Sequence, residues 1–326
     1  MRAAYIEALG PAEAIRYGVV STPEPGADEV QVAVEFTAVN AVDTFVRSGA
    51  WRTPLTFPFV IGRDLVGIVT AVGASVTEFA TGDRVWSNSL GHGGRQGAAA
   101  ERAVVAADRL YHLPSGVAPR DAVAVAHPAA TAALGLFTHG RVRRGETVVV
   151  IGAGGNVGSA AVAMAVEAGA RVVAVAAGAD FGHCLSLGAD QAVDYRDDPD
   201  GRIAADHPGG VDVVLDCAGR NDLESAVDLL RRRGRVVVLA GMAARPVLPV
   251  GRLYLKDCSV VGFAISQATT AELASAAHRV NRLLASGVLR PRRVEQLPLH
   301  SAAQAHRIVE SGGVNGTKIV LSVPTD

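Results

Sequence analysis

Disulfide chemistry has little to work with in this sequence. The three cysteines, Cys184, Cys217 and Cys258, are scattered and show neither a disulfide framework nor zinc-site spacing. A reducing, cytoplasmic setting fits them. Lysine is nearly absent: Lys256 and Lys318 stand alone in 326 residues. Arginine supplies almost all the positive charge, and with the excess of Ala, Val and Gly this reflects a GC-rich genome rather than a function. Neither sign of charge dominates. A net charge of -1 gives no electrostatic footing for nucleic acid or an anionic membrane. Long apolar runs are missing too. Val104 to Ala107 and Val123 to Ala126 are short, and residues 160–177 are broken by Glu167, Gly169 and Arg171, so no membrane span is expected. The opening MRAAYIEALGPAE is too polar for a signal peptide. No internal repeat or low-complexity linker is visible. What remains is a chain with 49% hydrophobic residues, long enough for two domains with sizeable cores.

The chain is organised around residues 147–178. Val148, Val149, Val150 and Ile151 form a β-branched run suited to a strand buried on both faces. A small-residue turn follows, Gly152-Ala153-Gly154-Gly155-Asn156-Val157-Gly158, and then an Ala- and Val-rich stretch from Ser159 to Ala168 that predicts a helix. Gly169 suits its C-terminal cap, and Arg171 to Ala177 reads as the next strand. This is one βαβ unit. Small residues let the backbone turn sharply and approach a pyrophosphate, and the helix N-terminus then offers N–H groups and a positive dipole end to the anion. The pattern is G-x-x-G-x-x-G rather than G-x-G-x-x-G. Alone it also fits a glycine turn of another α/β domain; the flanking strand, helix and strand favour a dinucleotide site.

Residues 1–120 lack helical periodicity and are rich in turn signals. Arg2 to Glu7, Glu29 to Phe36, Val60 to Val72, residues 82–86, 98–105 and 110–113 read as strands of a β-rich domain. Arg120 to Phe137 predicts a helix interrupted or kinked at Pro128. Beyond the βαβ unit, strands at Val211–Asp216, Gly234–Ala240 and Ser259–Phe263 alternate with a helix at Asp222–Arg231, which implies a doubly wound parallel sheet. Arg231 to Arg233 read as a solvated helix end. Thr270 to Ser286 and Ser301 to Ser311 predict helices, Leu289 to Leu297 turns extended, and Lys318 to Val323 reads as a closing strand that returns to the first domain.

From end to end the chain resembles the zinc-free quinone oxidoreductase branch of the medium-chain dehydrogenase/reductase superfamily, the zeta-crystallin type. The stretches that carry the likeness include AVNAVDTFVRSG (38–49), IGRDLVGIVTAVG (61–73), TGDRVW (81–86), HPAATAALGL (127–136), IGAGGNVG (151–158), LGADQAVDYRD (187–197), VDVVLDCAG (211–219), VVGFAISQ (260–267) and AAQAHRIVESG (302–312). The resemblance implies an α/β protein. A GroES-like β-rich domain at 1–121 and 288–326 would join a Rossmann domain at 122–287, with a cofactor in the cleft between them. It also implies hydride transfer from NADPH to a quinone or another conjugated carbonyl, and a homodimer.

The same likeness implies the site residues. Gly154, Gly155, Asn156 and Val157 match the pyrophosphate turn. Thr131 matches a threonine near the nicotinamide, where a plain helix hydroxyl is the alternative. Phe263, Ala264 and Ile265 match the segment passing the nicotinamide amide, and Ala240 joins them at a strand end. Tyr195 matches a residue flanking the adenosine. Asn40 and Asp43 match the family's VN-x-x-D segment, Asn40 as a hydrogen-bond partner of substrate or ribose, Asp43 either catalytic or a helix cap. His92, with Arg95 in GHGGRQG, reads as a proton donor or a solvated loop histidine, and His127 as structural or cofactor-side.

Departures from the family matter as well. Where zinc-dependent relatives carry a cysteine and a His-Glu pair, this chain has Asn40, Asp43, Arg63 and Asp64, and the structural zinc loop is absent, so no metal site is expected. A conjugated acceptor needs less polarisation than a simple carbonyl, which favours quinone or enone reduction. NADPH is the expected cofactor, with NADH not excluded. The segment Ala177-Gly178-Ala179-Asp180 has no basic residue, which leaves Arg196 and the backbone N–H groups of Ala177 and Gly178 as partners for a 2′-phosphate and Asp180 as a ribose ligand if NADH is used. Two other activities stay open: reduction of an enoyl thioester or enone double bond, and a nucleotide-bound structural or RNA-binding role.

Overall fold

A computed structural model describes residues 1–312 and 316–324. In chain order it forms strands β1 (Arg2–Ile6), β2 (Arg16–Val19) and β3 (Glu29–Val39), helix α1 (Ala41–Ser48), and strands β4 (Phe59–Val60), β5 (Asp64–Val72), β6 (Arg84–Ser87), β7 (Arg102–Ala106) and β8 (Tyr111–His112). Helix α2 (Pro119–Ala133) passes directly into a π-helical segment, Leu134–His139. Next come β9 (Thr147–Ile151), α3 (Asn156–Glu167), β10 (Arg171–Ala176), α4 (Phe181–Ser186), β11 (Gln191–Asp194), α5 (Pro199–Asp206), β12 (Val211–Asp216), α6 (Leu223–Leu229), β13 (Leu230–Val238), α7 (Val250–Leu255) and β14 (Ser259–Gly262). The chain closes with α8 (Thr270–Ala285), β15 (Arg293–Pro298), α9 (Ala302–Glu310) and β16 (Thr317–Ser322).

The chain divides into two compact units, Met1–His127 with Thr269–Asp326, and Pro128–Ala268. In the first, β3 pairs antiparallel with β5, β7 and β16, within a seven-stranded sheet ordered β15-β16-β3-β5-β6-β8, and a small β2-β1-β4 sheet accompanies it. Val30, Val32 and Val34 on β3, Leu65 and Val69 on β5, and Ile319 and Leu321 on β16 fill its core. Burying each such side chain contributes about 1.5–3 kcal/mol, which ties the C-terminal strand back to the N-terminal sheet. Domain limits read from the sequence put residues 270–287 with the second unit. Here α8 groups with the first, where Trp86 Nε1 donates to Asn281 Oδ1 at 2.9 Å and Asn281 Nδ2 donates to the His112 carbonyl at 3.0 Å.

The second unit is a six-stranded parallel sheet ordered β11-β10-β9-β12-β13-β14. Chain order runs outward from β9 through β10 to β11, then jumps to the other side of β9 and runs outward again. The switch point therefore lies between β9 and β12, where open α/β sheets bind ligands at the carboxyl ends of their strands. Val149, Ile151, Val173, Val175, Val214 and Val236 form the core, in the near-continuous apolar strands that burial on both faces requires.

Three local expectations change. Residues 1–120 do contain a helix, α1, which ends at Gly49 in the left-handed region at φ 83°. Helix α2 runs through Pro128 without ending there. The predicted helix 222–231 stops at Leu229, and Arg231, Arg232 and Arg233 belong to β13 instead of a helix end. Arg231 pairs with Asp212, and Arg232 with Asp257 at 2.7 Å. Residues 119–139 are long and apolar enough to cross a membrane by length and composition, but residues 122–136 of that stretch are buried inside the protein, as in a core helix.

Candidate functional site

Apart from Thr131 on α2, the expected cofactor residues of the second unit follow the carboxyl ends of β9, β10, β11, β13 and β14. Strand β9 ends at Ile151, and Gly152 turns the chain at φ 80°. The N–H groups of Gly152 and Ala153 both donate to the Val175 carbonyl, at 2.9 and 3.1 Å, which pins the turn to β10. Gly155, in extended conformation, caps α3. Three glycines here answer to different demands. A Cβ on Gly158 would lie 2.1 Å from the Gly152 carbonyl oxygen, so the helix packs on the turn too closely for any side chain. A Cβ on Gly154 would lie 2.4 Å from Asp180 Oδ2. A Cβ on Gly155 meets little within the protein, the Gly152 carbonyl oxygen at 3.3 Å. The cradle is thus open at Gly155, at the N-terminus of a helix of 12 residues whose positive dipole end favours an anion.

Gly178, Tyr195 and Arg196 come together at the ends of β10 and β11 around a residue the sequence reading passed over, Asp194. Its Oδ2 accepts from Gly178 N at 2.9 Å and Arg196 Nη2 at 2.6 Å, and its Oδ1 from Arg196 Nε at 2.9 Å. These bonds hold the Asp194 carboxylate well below the usual range. Arg196 is therefore already paired, with its guanidinium 5.6 Å from the exposed Tyr195 ring. Asp180 lies against the glycine turn through Gly154. Ala240, beyond the end of β13, accepts from Asn221 Nδ2 at 3.1 Å. Phe263 follows β14 and stacks on His139 of the π-helical segment, with centroids 4.4 Å apart. Ile265 and Thr131 are buried, and Ala264 is half-buried between Phe263 and Ile265.

The two residues expected in catalysis, Asn40 and Asp43, belong to the first unit and lie in a buried polar cluster. Asp43 does cap α1: its Oδ2 accepts from Asn40 N at 2.7 Å. The Asn40 amide donates to Asp64 Oδ2 at 2.8 Å and Asp43 Oδ2 at 3.2 Å, and its Oδ1 accepts from Lys318 Nζ. Both amide hydrogens are thus engaged, and a ligand would find only the Oδ1 of Asn40. His127 Nδ1 stands 3.7 Å from Asp64 Oδ1. Burial pushes the Asp64 carboxyl up to about 7, with the Asp43 charge adding to it, while Lys318, Asn40 and Arg63 oppose the shift. Burial likewise lowers the Lys318 ammonium, and it holds His127 well below its ordinary value. Lys318 was read only as the start of a strand. Its signal was present: one of two lysines in the chain, set against the apolar run Ile319-Val320-Leu321.

His92, read as a proton donor or a solvated loop histidine, is buried, with its ring edge-on to Trp51 at 5.8 Å. Cys217 is a half-buried thiol whose pKa is pushed up by burial, as befits an inert small residue.

Comparisons with known proteins agree with this architecture. Residues 26–115 match the alcohol dehydrogenase GroES-like domain, and residues 156–281 match the zinc-binding dehydrogenase family. Quinone oxidoreductase of Mus musculus is 32% identical over 329 residues, covering 98% of each chain. A crystal structure of an NAD-dependent alcohol dehydrogenase, 31% identical, superposes with a TM-score of 0.89 over 99% of this chain and 100% of that one. Escherichia coli quinone oxidoreductase complexed with NADPH, 26% identical, gives 0.86 over 99% and 100%.

One family description names zinc, and the residues here do not fit that metal. Asp43 and Asp64 are balanced by Arg63 and Lys318, and among the described residues no three His, Cys, Asp or Glu side chains are grouped to hold an ion. The GroES-like sheet, the parallel Rossmann sheet and the chain-long identity together place this protein in the medium-chain dehydrogenase/reductase superfamily, among its quinone oxidoreductases, as an NAD(P)H-dependent oxidoreductase.

Proposed function

We propose that this oxidoreductase uses NADPH to reduce quinones, and that its chain needs no metal to do so. The observation that carries the reading is the glycine cradle at the β9/β12 switch point, open at Gly155, in a chain similar along its whole length to quinone oxidoreductases. Gly154, Gly155, Asn156 and Val157 would hold the pyrophosphate. Gly178, Tyr195 and Arg196 would flank the adenosine, with Arg196 offering the 2′-phosphate the guanidinium edge that Asp194 leaves uncovered. Thr131, Ala240, Phe263, Ala264 and Ile265 would hold the nicotinamide end. The nicotinamide supplies the hydride when bound. The protein's part is to orient it and exclude water, because a quinone is already conjugated and its reduction needs positioning more than polarisation. Asn40 would meet a ligand through Oδ1 alone, with Asp43 and Lys318 fixing the amide.

The homodimer belongs to the same reading. Strand β14 is the outermost strand of the parallel sheet, and the exposed Val250, Tyr254 and Leu255 of α7 immediately precede it. A second copy pairing along this edge would cover both the unpaired strand and the apolar residues. Light scattering on the purified protein should give twice the chain mass.

NADPH and NADH oxidation, screened over quinones, enones and enoyl thioesters, tests the activity. Quinone-dependent NADPH oxidation is expected. Turnover confined to enoyl thioesters, or cofactor binding with no turnover at all, would replace this reading.

A further inference from the structure

Among the described residues, the guanidinium groups of Arg63, Arg95 and Arg109 in the first unit have no carboxylate in direct contact. Arg63 is 1% exposed and its Nε has no hydrogen-bond partner. Asp43 and Asp64 act on it without touching it, for among the described residues no carboxylate oxygen lies within 4.0 Å of Arg63, Arg95 or Arg109. A buried guanidinium that its carboxylates reach only at a distance keeps part of its desolvation cost, which a contacting anion would offset.

The three charges converge on one place. Leu90 N donates to the Arg63 carbonyl at 3.2 Å, which sets the 88–97 loop beside it. Arg95 Nε donates to the Ser89 carbonyl at 3.0 Å, and Ser87 Oγ to the Arg109 carbonyl at 2.8 Å. Gly93 N donates to Thr53 Oγ1 at 2.9 Å and Gly94 N to the Pro54 carbonyl at 3.0 Å, lacing this loop to the segment that carries Trp51. His92 sits among them. Burial first, then Arg63, Arg95 and Arg109, pushes its pKa down to about 4, so it stays neutral at pH 7 and adds no charge. Asp108 acts against the positive field at Arg95, and Arg63 and Arg109 reinforce it. The buried hydroxyl of Ser89 has no partner either. Guanidinium donors with a spare hydroxyl recognise an oxyanion, and the perpendicular rings of Trp51 and His92 provide an aromatic wall.

We propose that Arg63, Arg95 and Arg109, with Ser89, form an anion-binding site beside Trp51, and that it takes the carboxylate of a planar conjugated acceptor. The acceptor as a quinone rests on the function proposed above; the anion site does not.

Two measurements separate these claims. The first needs no turnover. The chain has two tryptophans, and Trp86 is buried and bonded to Asn281, so quenching by an added ligand reports Trp51, with Trp51→Phe as the control. 2-Naphthoate should quench at least tenfold more tightly than its neutral isostere 2-naphthamide, and the gap should narrow with salt. Arg95→Gln should cut naphthoate affinity at least tenfold, and Arg95→Lys should retain part of it. Arg109→Gln serves if Arg95→Gln does not fold. Equal affinity for naphthoate and naphthamide, or full affinity in the glutamine variants, would overturn the site. Displacement of naphthoate by an equal concentration of inorganic phosphate would overturn the carboxylate assignment in favour of a phosphate. The second measurement compares kcat/KM for 1,4-naphthoquinone-2-carboxylate and 1,4-naphthoquinone. A ratio of at least ten in the wild type, falling toward one in Arg95→Gln, is expected. Naphthoate binding with neither quinone reduced would keep the site and refute the quinone reading.

Discussion

Replacing Gly155 and Gly158 separately divides the nucleotide cradle into its two physical demands. At Gly158 a Cβ would sit 2.1 Å from the Gly152 carbonyl oxygen and 2.7 Å from Ala153 Cα, both well inside ordinary contact. Backbone atoms cannot rotate away, so the helix must shift, at an overpacking cost of about 1–3 kcal/mol or more. At Gly155 the backbone is extended, at φ -78° and ψ 172°, which any residue adopts, and the nearest atom to a Cβ is 3.3 Å away. Gly155→Val should therefore fold with a melting temperature within a few degrees of wild type, since each kcal/mol is worth about 2–4 °C in a domain of this size. Its new methyl groups would stand where the pyrophosphate approaches, and cofactor affinity should fall at least tenfold, about 1.4 kcal/mol. Gly158→Val should lose stability first and affinity with it. Calorimetric titration with NADPH, beside thermal unfolding, reads both quantities. A folded Gly155→Val protein that binds the cofactor as tightly as wild type would refute the assignment of this turn.

Three other outcomes are expected. Arg196→Ala should weaken NADPH and leave NADH unchanged, with a modest gap that narrows at high salt because Arg196 is exposed and already shared with Asp194; dissociation constants for both cofactors in both proteins decide it. Lys318→Met strands Asp43 and Asp64 in the interior and should cost about 3–5 kcal/mol in urea unfolding, part of it recovered in Lys318→Met/Asp64→Asn, while the wild type should bind no stoichiometric zinc and keep its activity through chelation. His306 is buried near Arg47, and both effects hold its pKa down to about 3. A depressed folded pKa means a contribution fully present above the ordinary value near 6.5 and lost as pH falls from there toward 3, at up to about 1.4 kcal/mol per pH unit. Urea midpoints at pH 7 and 5 should therefore fall less in His306→Leu than in wild type.

The Rossmann half was legible because its strands are buried on both faces, so apolar runs such as Val148–Ile151 and Val211–Asp216 announce themselves without alternation. The closing strand and its return to the first sheet were legible for the same reason. Helix α1 was not, because its eight residues owe their start to the bond from Asn40 N to Asp43 rather than to a long periodic face. The overrun of α6 into Leu230–Arg233 has a local cause: the chain turns extended at Leu230, and φ 64° at Arg233 fits no helix. At the site, the residues read from the glycine pattern form the turn between β9 and α3. What the pattern could not show was pairing between distant positions. Lys318 meets Asn40 across 278 positions, and Asp194 takes up Arg196 through a geometry that two residues' separation in sequence does not reveal.

The central claim is hydride transfer from NADPH to a quinone without a metal, and one measurement meets it directly: the rate of NADPH oxidation by chelator-treated wild-type protein with 1,4-naphthoquinone as the varied acceptor. Saturable, quinone-dependent oxidation, undiminished by the chelator, is the expected result. No quinone-dependent oxidation with either NADPH or NADH, or a rate that the chelator abolishes and added zinc restores, would contradict it.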